Sequence, residues 1–120
     1  MSAAPWPREL KLSAARDCLA VEFESGERFD LPAELLRVES PSAEVQGHSP
    51  AQKQTVAGKR HVTIARIEPV GNYAVRLVFS DGHDTGIYSW AWLFHLGRDR
   101  EALWAGYLKA LADRGLSREG

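Results

Sequence analysis

Two stretches of this chain, Val21-Glu-Phe-Glu-Ser-Gly-Glu-Arg-Phe-Asp-Leu31 and Leu77-Val-Phe-Ser-Asp-Gly-His-Asp-Thr-Gly-Ile87, superpose without a gap. In each, apolar residues alternate with polar ones, the period of a strand with one buried and one wet face. Gly26 and Gly82 fall at the same place and supply the tight turn of a hairpin. Phe23 matches Phe79, and Leu31 matches Ile87. Two readings account for the echo: hairpins share a grammar, or the fold repeats a strand–turn–strand–helix unit across a long loop. Either way the expected class is α+β, with small antiparallel sheets built from two hairpin-plus-helix units.

The remaining elements follow from local signals. Leu10 and Leu12 alternate with Glu9 and Lys11 as a first short strand, after an extended start with prolines around Trp6. Pro32 suits the first turn of a helix, which Ser40-Pro41 stops. Residues 62–68 return to strand, Gly71 and Asn72 turn the chain, and Tyr73, Val75, Leu77 and Phe79 alternate as the clearest strand. Residues 85–88 are the expected return. Ser89 is placed to cap a helix through Trp90, Trp92, Leu93 and Leu96, with Gly97 as its stop. Asp99 is placed to cap a last helix over 100–114, on which Leu103, Trp104, Tyr107, Leu108 and Leu111 form one apolar stripe that should dock on the sheet. Residues 115–120 read as a polar tail. A single domain over 1–120 is expected. Its least regular part, 38–60, is long enough to be either functional or mobile.

Composition narrows the function classes. Fifteen basic residues against sixteen acidic ones give a net charge of -1, which speaks against a dedicated nucleic-acid binder. The basic cluster Lys53, Lys59, Arg60 and His61 reads as a solvated loop, or next as a contact for an acidic protein. No apolar run resembles a membrane span or a signal peptide near the start, so the expected compartment is the cytoplasm. Cys18 is the single cysteine. It falls in a strand as a small apolar residue and rules out an intrachain disulfide.

Enzymatic signatures are missing. There is no Walker A sequence, no G-x-G-x-x-G between strand and helix, no G-x-S-x-G elbow and no H-E-x-x-H. Of the four histidines (48, 61, 83 and 95), none begins an H-x-D pair. His48 and His83 fall in loops near Glu44, Asp81 and Asp84 and could converge on a metal, although loop histidines are more commonly solvated or bonded to backbone. An enzyme acting through Glu44, His48 and His83 has no paired acid–base signature behind it. Trp90 and Trp92 lie on different faces of a short helix. Either both are buried, or one is exposed as an interface residue.

The run Leu35-Leu-Arg-Val-Glu-Ser-Pro-Ser-Ala-Glu-Val-Gln-Gly-His48, with Ile67-Glu-Pro-Val-Gly-Asn-Tyr-Ala-Val-Arg-Leu-Val-Phe-Ser-Asp-Gly-His-Asp-Thr-Gly-Ile-Tyr-Ser-Trp90, resembles the small bacterial proteins grouped as gamma-butyrobetaine hydroxylase-like N-terminal domains, whose function is uncharacterised. The resemblance covers 5–97 and leaves the last helix, 98–114, largely outside. It implies that a separate iron- and 2-oxoglutarate-dependent domain, present in the hydroxylases, is absent here. It also implies that a zinc site of those hydroxylases is vestigial: its ligand positions fall on Ser40, Ser42, Val45 and His83, and only the histidine is a good zinc ligand. Related domains are fused to Mrp-type P-loop ATPases that carry iron–sulfur clusters, which implies an accessory role near cluster assembly.

The expectation is therefore a non-catalytic binding module, an adaptor to a protein partner such as an Mrp-type ATPase, with no catalytic residues, no cofactor and no resident metal. Its interaction sites are expected in the 40–48 loop (Ser40, Pro41, Ser42, Glu44, Gln46, Gly47, His48) with Arg37 before it, and at His83, Tyr88 and Trp90. Ser40, Ser42 and His83 are expected to form a hydrogen-bonded junction between that loop and the Asp81-Gly82 turn. The alternative from another class is a zinc or iron protein in which Cys18 or His83 shares ligands across a dimer.

Overall fold

Each apolar alternation becomes a strand, and each Gly-bearing break becomes a turn. The structure, a computed structural model, describes residues 5–119. Within them the order is β1 (Pro7–Leu12), β2 (Cys18–Phe23), β3 (Arg28–Pro32), α1 (Ala33–Val38), α2 (Ala43–Gln46), β4 (Ile64–Val70), β5 (Ala74–Phe79), β6 (Ile87–Ser89), α3 (Trp90–Arg98) and α4 (Arg100–Asp113). A single 3-10 turn, Pro50–Gln52, lies between α2 and β4. The strands make two antiparallel sheets, β1-β2-β3 and β4-β5-β6, and a helix follows each. The class is α+β, as the alternations imply.

The hairpin echo is geometric at the turns. Gly26 N–H donates to Phe23 O at 2.9 Å and Phe23 N–H to Glu27 O at 2.8 Å, while Gly82 N–H donates to Phe79 O and Phe79 N–H to His83 O, both at 3.0 Å. Both glycines sit at positive φ, +95° and +91°, where a side chain would be strained. Beyond the turns the units differ. β3 resumes at Arg28, whereas β6 begins only at Ile87, two residues later than the expected return at 85, as the His83 and Thr85 side chains turn to Ser40 and Ser42.

The two sheets share one core. Leu19, Val21, Phe23 and Leu31 meet Ile64, Leu77, Phe79 and Tyr88, with Leu35 and Leu36 of α1 and Leu93 and Leu96 of α3. Phe94 packs edge-on against Phe23 and Phe29, with ring centroids 5.1 and 5.4 Å away. On α4, Leu103 and Trp104 pack against this core, and Tyr107 and Leu111 close a smaller cluster with Val38.

Several local expectations are corrected. Tyr73 is 58 % exposed and belongs to the turn before β5, its N–H donating to Val70 O at 3.4 Å. Gly97 does not stop α3, which runs on to Arg98. It is instead a close-approach residue, since a Cβ there would lie 2.2 Å from Phe29 Cγ. Asp99 precedes α4 without capping it, because its carboxylate takes His95 Nδ1 at 2.9 Å and Arg98 at 3.1 Å. Leu108 is exposed rather than part of the buried stripe. The tail is tied down: Gly58 N–H donates to Ser117 O at 3.0 Å and Arg60 N–H to Arg118 O at 3.2 Å. Residues 1–4, where the expected extended start begins, and Gly120, the last residue of the tail, lie outside the described residues. Within those described, no helix is long and apolar enough to cross a membrane.

Candidate functional site

The 38–60 segment is ordered by a polar junction. After α1, Ser40 and Ser42 turn the chain into α2, where Ser42 is the N-cap and its Oγ accepts from Glu44 N–H at 3.2 Å. From the opposite side the Phe79–His83 turn delivers the imidazole. Ser40 Oγ lies 2.9 Å from His83 Nε2, and both residues are buried. Ser42 N–H donates to Ser40 Oγ at 3.2 Å, and Ser42 Oγ meets Thr85 Oγ1 at 2.7 Å. Gln46 Nε2 donates to Ser40 O at 2.8 Å, and Glu44 Oε2 lies 3.4 Å from His83 Nδ1. The carboxylate beside Nδ1 assigns the proton there, so Nε2 accepts from the Ser40 hydroxyl, which in turn accepts from Ser42. Every polar atom on that path has a partner.

Charges brace the junction from below. Asp81 Oδ2 accepts from Arg37 Nε at 2.8 Å and lies 2.7 Å from Lys59 Nζ, while its Oδ1 accepts from His83 N–H at 3.0 Å. Burial alone would push the Asp81 carboxyl up, but these donors win and hold it at about 2. Burial, with Arg37 adding to it, pushes the His83 imidazole below its ordinary 6.5 against the pull of Glu44 and Asp81. The ring is therefore neutral at pH 7. The Tyr88 hydroxyl donates to Leu36 O from inside the core, and burial raises its pKa. Gly86 is required here: a Cβ would stand 2.6 Å from Ser40 Oγ and 2.9 Å from the Tyr88 ring.

The structure thus brings Arg37, Ser40, Ser42, Glu44, Gln46, His83 and Tyr88 around one locus. Ser42 reaches His83 through Ser40, and its hydroxyl goes to Thr85. Val45 is buried, and its carbonyl accepts from Gln54 N–H at 2.7 Å. Pro41 is half-buried, and Gly47, at φ +67°, lets the backbone pass close to Gln52. His48 is exposed, its N–H donating to Gln52 Oε1 at 2.8 Å. Trp90 lies apart, edge-on to Trp6 at 6.4 Å with its Nε1–H on Asn72 O at 3.0 Å. It is half-buried, as is Trp92, whose Nε1–H donates to Glu39 O at 3.0 Å. Thr85, Lys59 and Asp81 complete the site; Asp81 stands beside His83 in the expected turn, whereas Lys59 and Thr85 were not expected there.

The residues present do not fit the zinc that the resemblance attaches to these positions. One imidazole, two hydroxyls and a valine make a poor ligand set, and among the described residues no group of three His, Cys, Asp or Glu side chains converges as for a metal. Burial, with Asp30 and Asp17 nearby, raises the Cys18 thiol, which disfavours the thiolate a metal would need. Ser40, His83 and Glu44 follow the order of contacts of a hydrolase triad. With Ser40 at 0 % exposure, its Oγ has no open approach for an acyl group.

Lys53, Arg60 and His61 are exposed, as a solvated loop requires, and the cluster also has acidic neighbours. Lys53 pairs with Glu39 at 2.6 Å, Lys59 with Asp81, and Arg60 with Glu119 at 2.5 Å; His61 lies 3.8 Å from Glu119.

Two three-stranded antiparallel sheets, a helix after each, and a polar junction from the α1–α2 loop to the turn after β5 define a small α+β domain. The chain matches the family model described as gamma-butyrobetaine hydroxylase-like, N-terminal, over residues 10–94, and it belongs to that family. Among solved structures, two NMR solution structures are similar. One is 42 % identical with a TM-score of 0.84, covering 98 % of this chain and 92 % of that one. The other is 47 % identical with a TM-score of 0.83, covering 98 % and 88 %. A crystal structure of a DUF971-family protein of unknown function from Acidithiobacillus ferrooxidans is 40 % identical over 76 % of this chain and 91 % of that one, with a TM-score of 0.64. No curated protein matches the chain significantly.

Proposed function

We propose that the chain is a non-catalytic binding module of the cytoplasm, an accessory or adaptor to a protein partner. One observation carries this reading: the hydroxyls and the imidazole at the centre of the locus are spent on one another. Ser40, Ser42, Thr85 and His83 bond to one another, Glu44 reaches His83 from the surface, and Ser40 is closed to solvent. A site so consolidated holds a loop in shape and leaves recognition to the surface around it. Both ring nitrogens of His83 face partners within the chain, which weighs against a ligand role across a dimer. The dispersed ion pairs of the basic residues weigh against nucleic acid. The partner class to test first is an Mrp-type iron–sulfur carrier ATPase, which the family resemblance brings forward.

The test is capture from native extract by the untagged, immobilised full chain, beside a variant with Glu44, Gln46 and His48 replaced by alanine. A partner retained by the first and lost by the second supports an adaptor acting through the loop. Capture of nothing by either overturns it. Stoichiometric zinc or iron in the purified untagged protein would overturn the metal-free part of the reading.

A further inference from the structure

The two sheets have four edges, and three are closed to further pairing. β1 carries Pro7, Arg8, Glu9 and Lys11, and its register slips between Pro7 and Glu9. At β3, Arg100 Nη1 donates to Asp30 O at 2.7 Å. β4 contains Pro69 and a slip between Ile64 and Arg66, and Arg16 straps it: Ile64 N–H donates to Arg16 O, and Arg16 Nη1 to Ala65 O, both at 2.8 Å. Charges, prolines, bulges and covering groups are the means by which folded proteins keep edges from pairing. β6, Ile87-Tyr88-Ser89, has no charge, proline or bulge.

Ladder alternation decides which of its groups are free. Leu77 N–H donates to Gly86 O at 3.3 Å, so Leu77 and Gly86 form a hydrogen-bonded pair. Arg76 and Ile87 are then a non-bonded pair, and the Ile87 N–H and C=O turn away from β5. Among the described residues no backbone hydrogen bond reaches Ile87 from another segment. The Ile87 side chain is 48 % exposed, and the exposed Trp6 and Tyr73 belong to the same end of the molecule. Tyr73 immediately precedes Ala74, the partner of Ser89, and Trp6 lies on Trp90, which follows Ser89. The charge beside Ile87 is spent: Arg76 pairs with Glu68 and lies 3.9 Å from Asp84.

We propose that β6 is a strand-addition site for an extended, uncharged, β-branched segment of a partner protein, which pairs with Ile87 and lies across Tyr73 and the Trp6–Trp90 pair. This rests on the adaptor reading and names the surface it uses. Main-chain pairing supplies affinity in such sites, and the flanking side chains supply selectivity. A second copy is the poorer occupant. Self-pairing over three residues buries far less than the roughly 1,200–2,000 Å² of a stable interface.

The probe is a capped octapeptide of alternating threonine and valine, titrated into the ¹⁵N-labelled full chain. Shifts are expected at 86–89, at Tyr73 and at the Trp6 and Trp90 indoles, with Ile87 amide exchange slowed at least tenfold at saturation. Ile87→Pro removes an N–H outside the ladder and is tolerated on an edge. It should weaken peptide binding at least tenfold, and Ile87→Lys, which keeps the N–H, several-fold. Absence of shifts at 86–89, binding unchanged in both variants, or a dimer of the free chain that protects Ile87 would overturn the site. Where the wild type captures a partner from extract and Ile87→Pro captures it equally, the edge is wrong and the adaptor reading stands. Where the wild type captures nothing, the adaptor reading fails, and the peptide titration alone decides the edge.

Discussion

Glu34 on α1 and Arg118 in the tail, 84 residues apart, share a two-point pair with N–O distances of 2.7 and 2.9 Å. The Glu34 carboxylate is almost wholly enclosed, while the Arg118 guanidinium also lies over the Trp104 ring, 5.1 Å from its centroid. Removing a partner from a pair of this kind leaves a carboxylate out of water with nothing opposite it. Arg118→Ala should therefore cost about 1–3 kcal/mol, discounted for the part of the guanidinium that solvent still reaches. Urea titration measures the loss, and Trp104 fluorescence should shift with it. A variant of wild-type stability would show that the pair contributes nothing net.

Ser40→Ala should cost about 1–3 kcal/mol, because it orphans the Ser42 N–H and the His83 Nε2 together. Gly86→Ala should be of similar size, since its new Cβ falls on Ser40 Oγ and the Tyr88 ring. Combined, the two should cost less than their sum, because removing the Ser40 hydroxyl clears part of the space the methyl needs. Thermal melts of the four proteins test the cycle, and strict additivity would contradict the contact.

His83→Ala should speed amide exchange at Ser42 and Glu44 and along 40–46, while the first sheet keeps its protection. Hydrogen exchange read by NMR separates the two regions. Unchanged rates over 40–46 would mean that the imidazole does not hold the loop.

Acid should act on the same locus in two stages. His83 has a folded pKa below the 6.5 it has when unfolded, so the unfolded chain binds the proton first as pH falls. Its contribution is full above 6.5 and is lost as pH drops through the folded value. Asp81 is held at about 2 against an ordinary 3.8. Its contribution is full above 3.8 and disappears as pH approaches 2. The melting temperature should fall from pH 7 toward 5 in the wild type and stay flatter there in His83→Gln. Equal slopes would exclude His83 as the group responsible.

The strands were legible because alternation is local. Leu19, Val21 and Phe23, or Val75, Leu77 and Phe79, declare a buried face within six residues. Tyr73 misled because it continues the same period while belonging to the turn. Gly97 misled because a glycine needed for the approach of Phe29 looks the same in sequence as a glycine that ends a helix. The locus was legible only where the family resemblance marked Ser40, Ser42 and His83. Thr85 and Lys59, and Arg37 on Asp81, join it through side-chain contacts between residues far apart in sequence, and no spacing rule encodes such pairings. The Arg118 clasp was hidden for the same reason.

The twin turns at Gly26 and Gly82 make the molecule its own control. Each folds a phenylalanine under the same pair of backbone bonds, yet only the later one ties its titratable groups, Asp81 and His83, into a buried junction. As the solution is acidified, the later unit should loosen while its near-copy stays put, and a difference in local opening between the two would be read within a single sample.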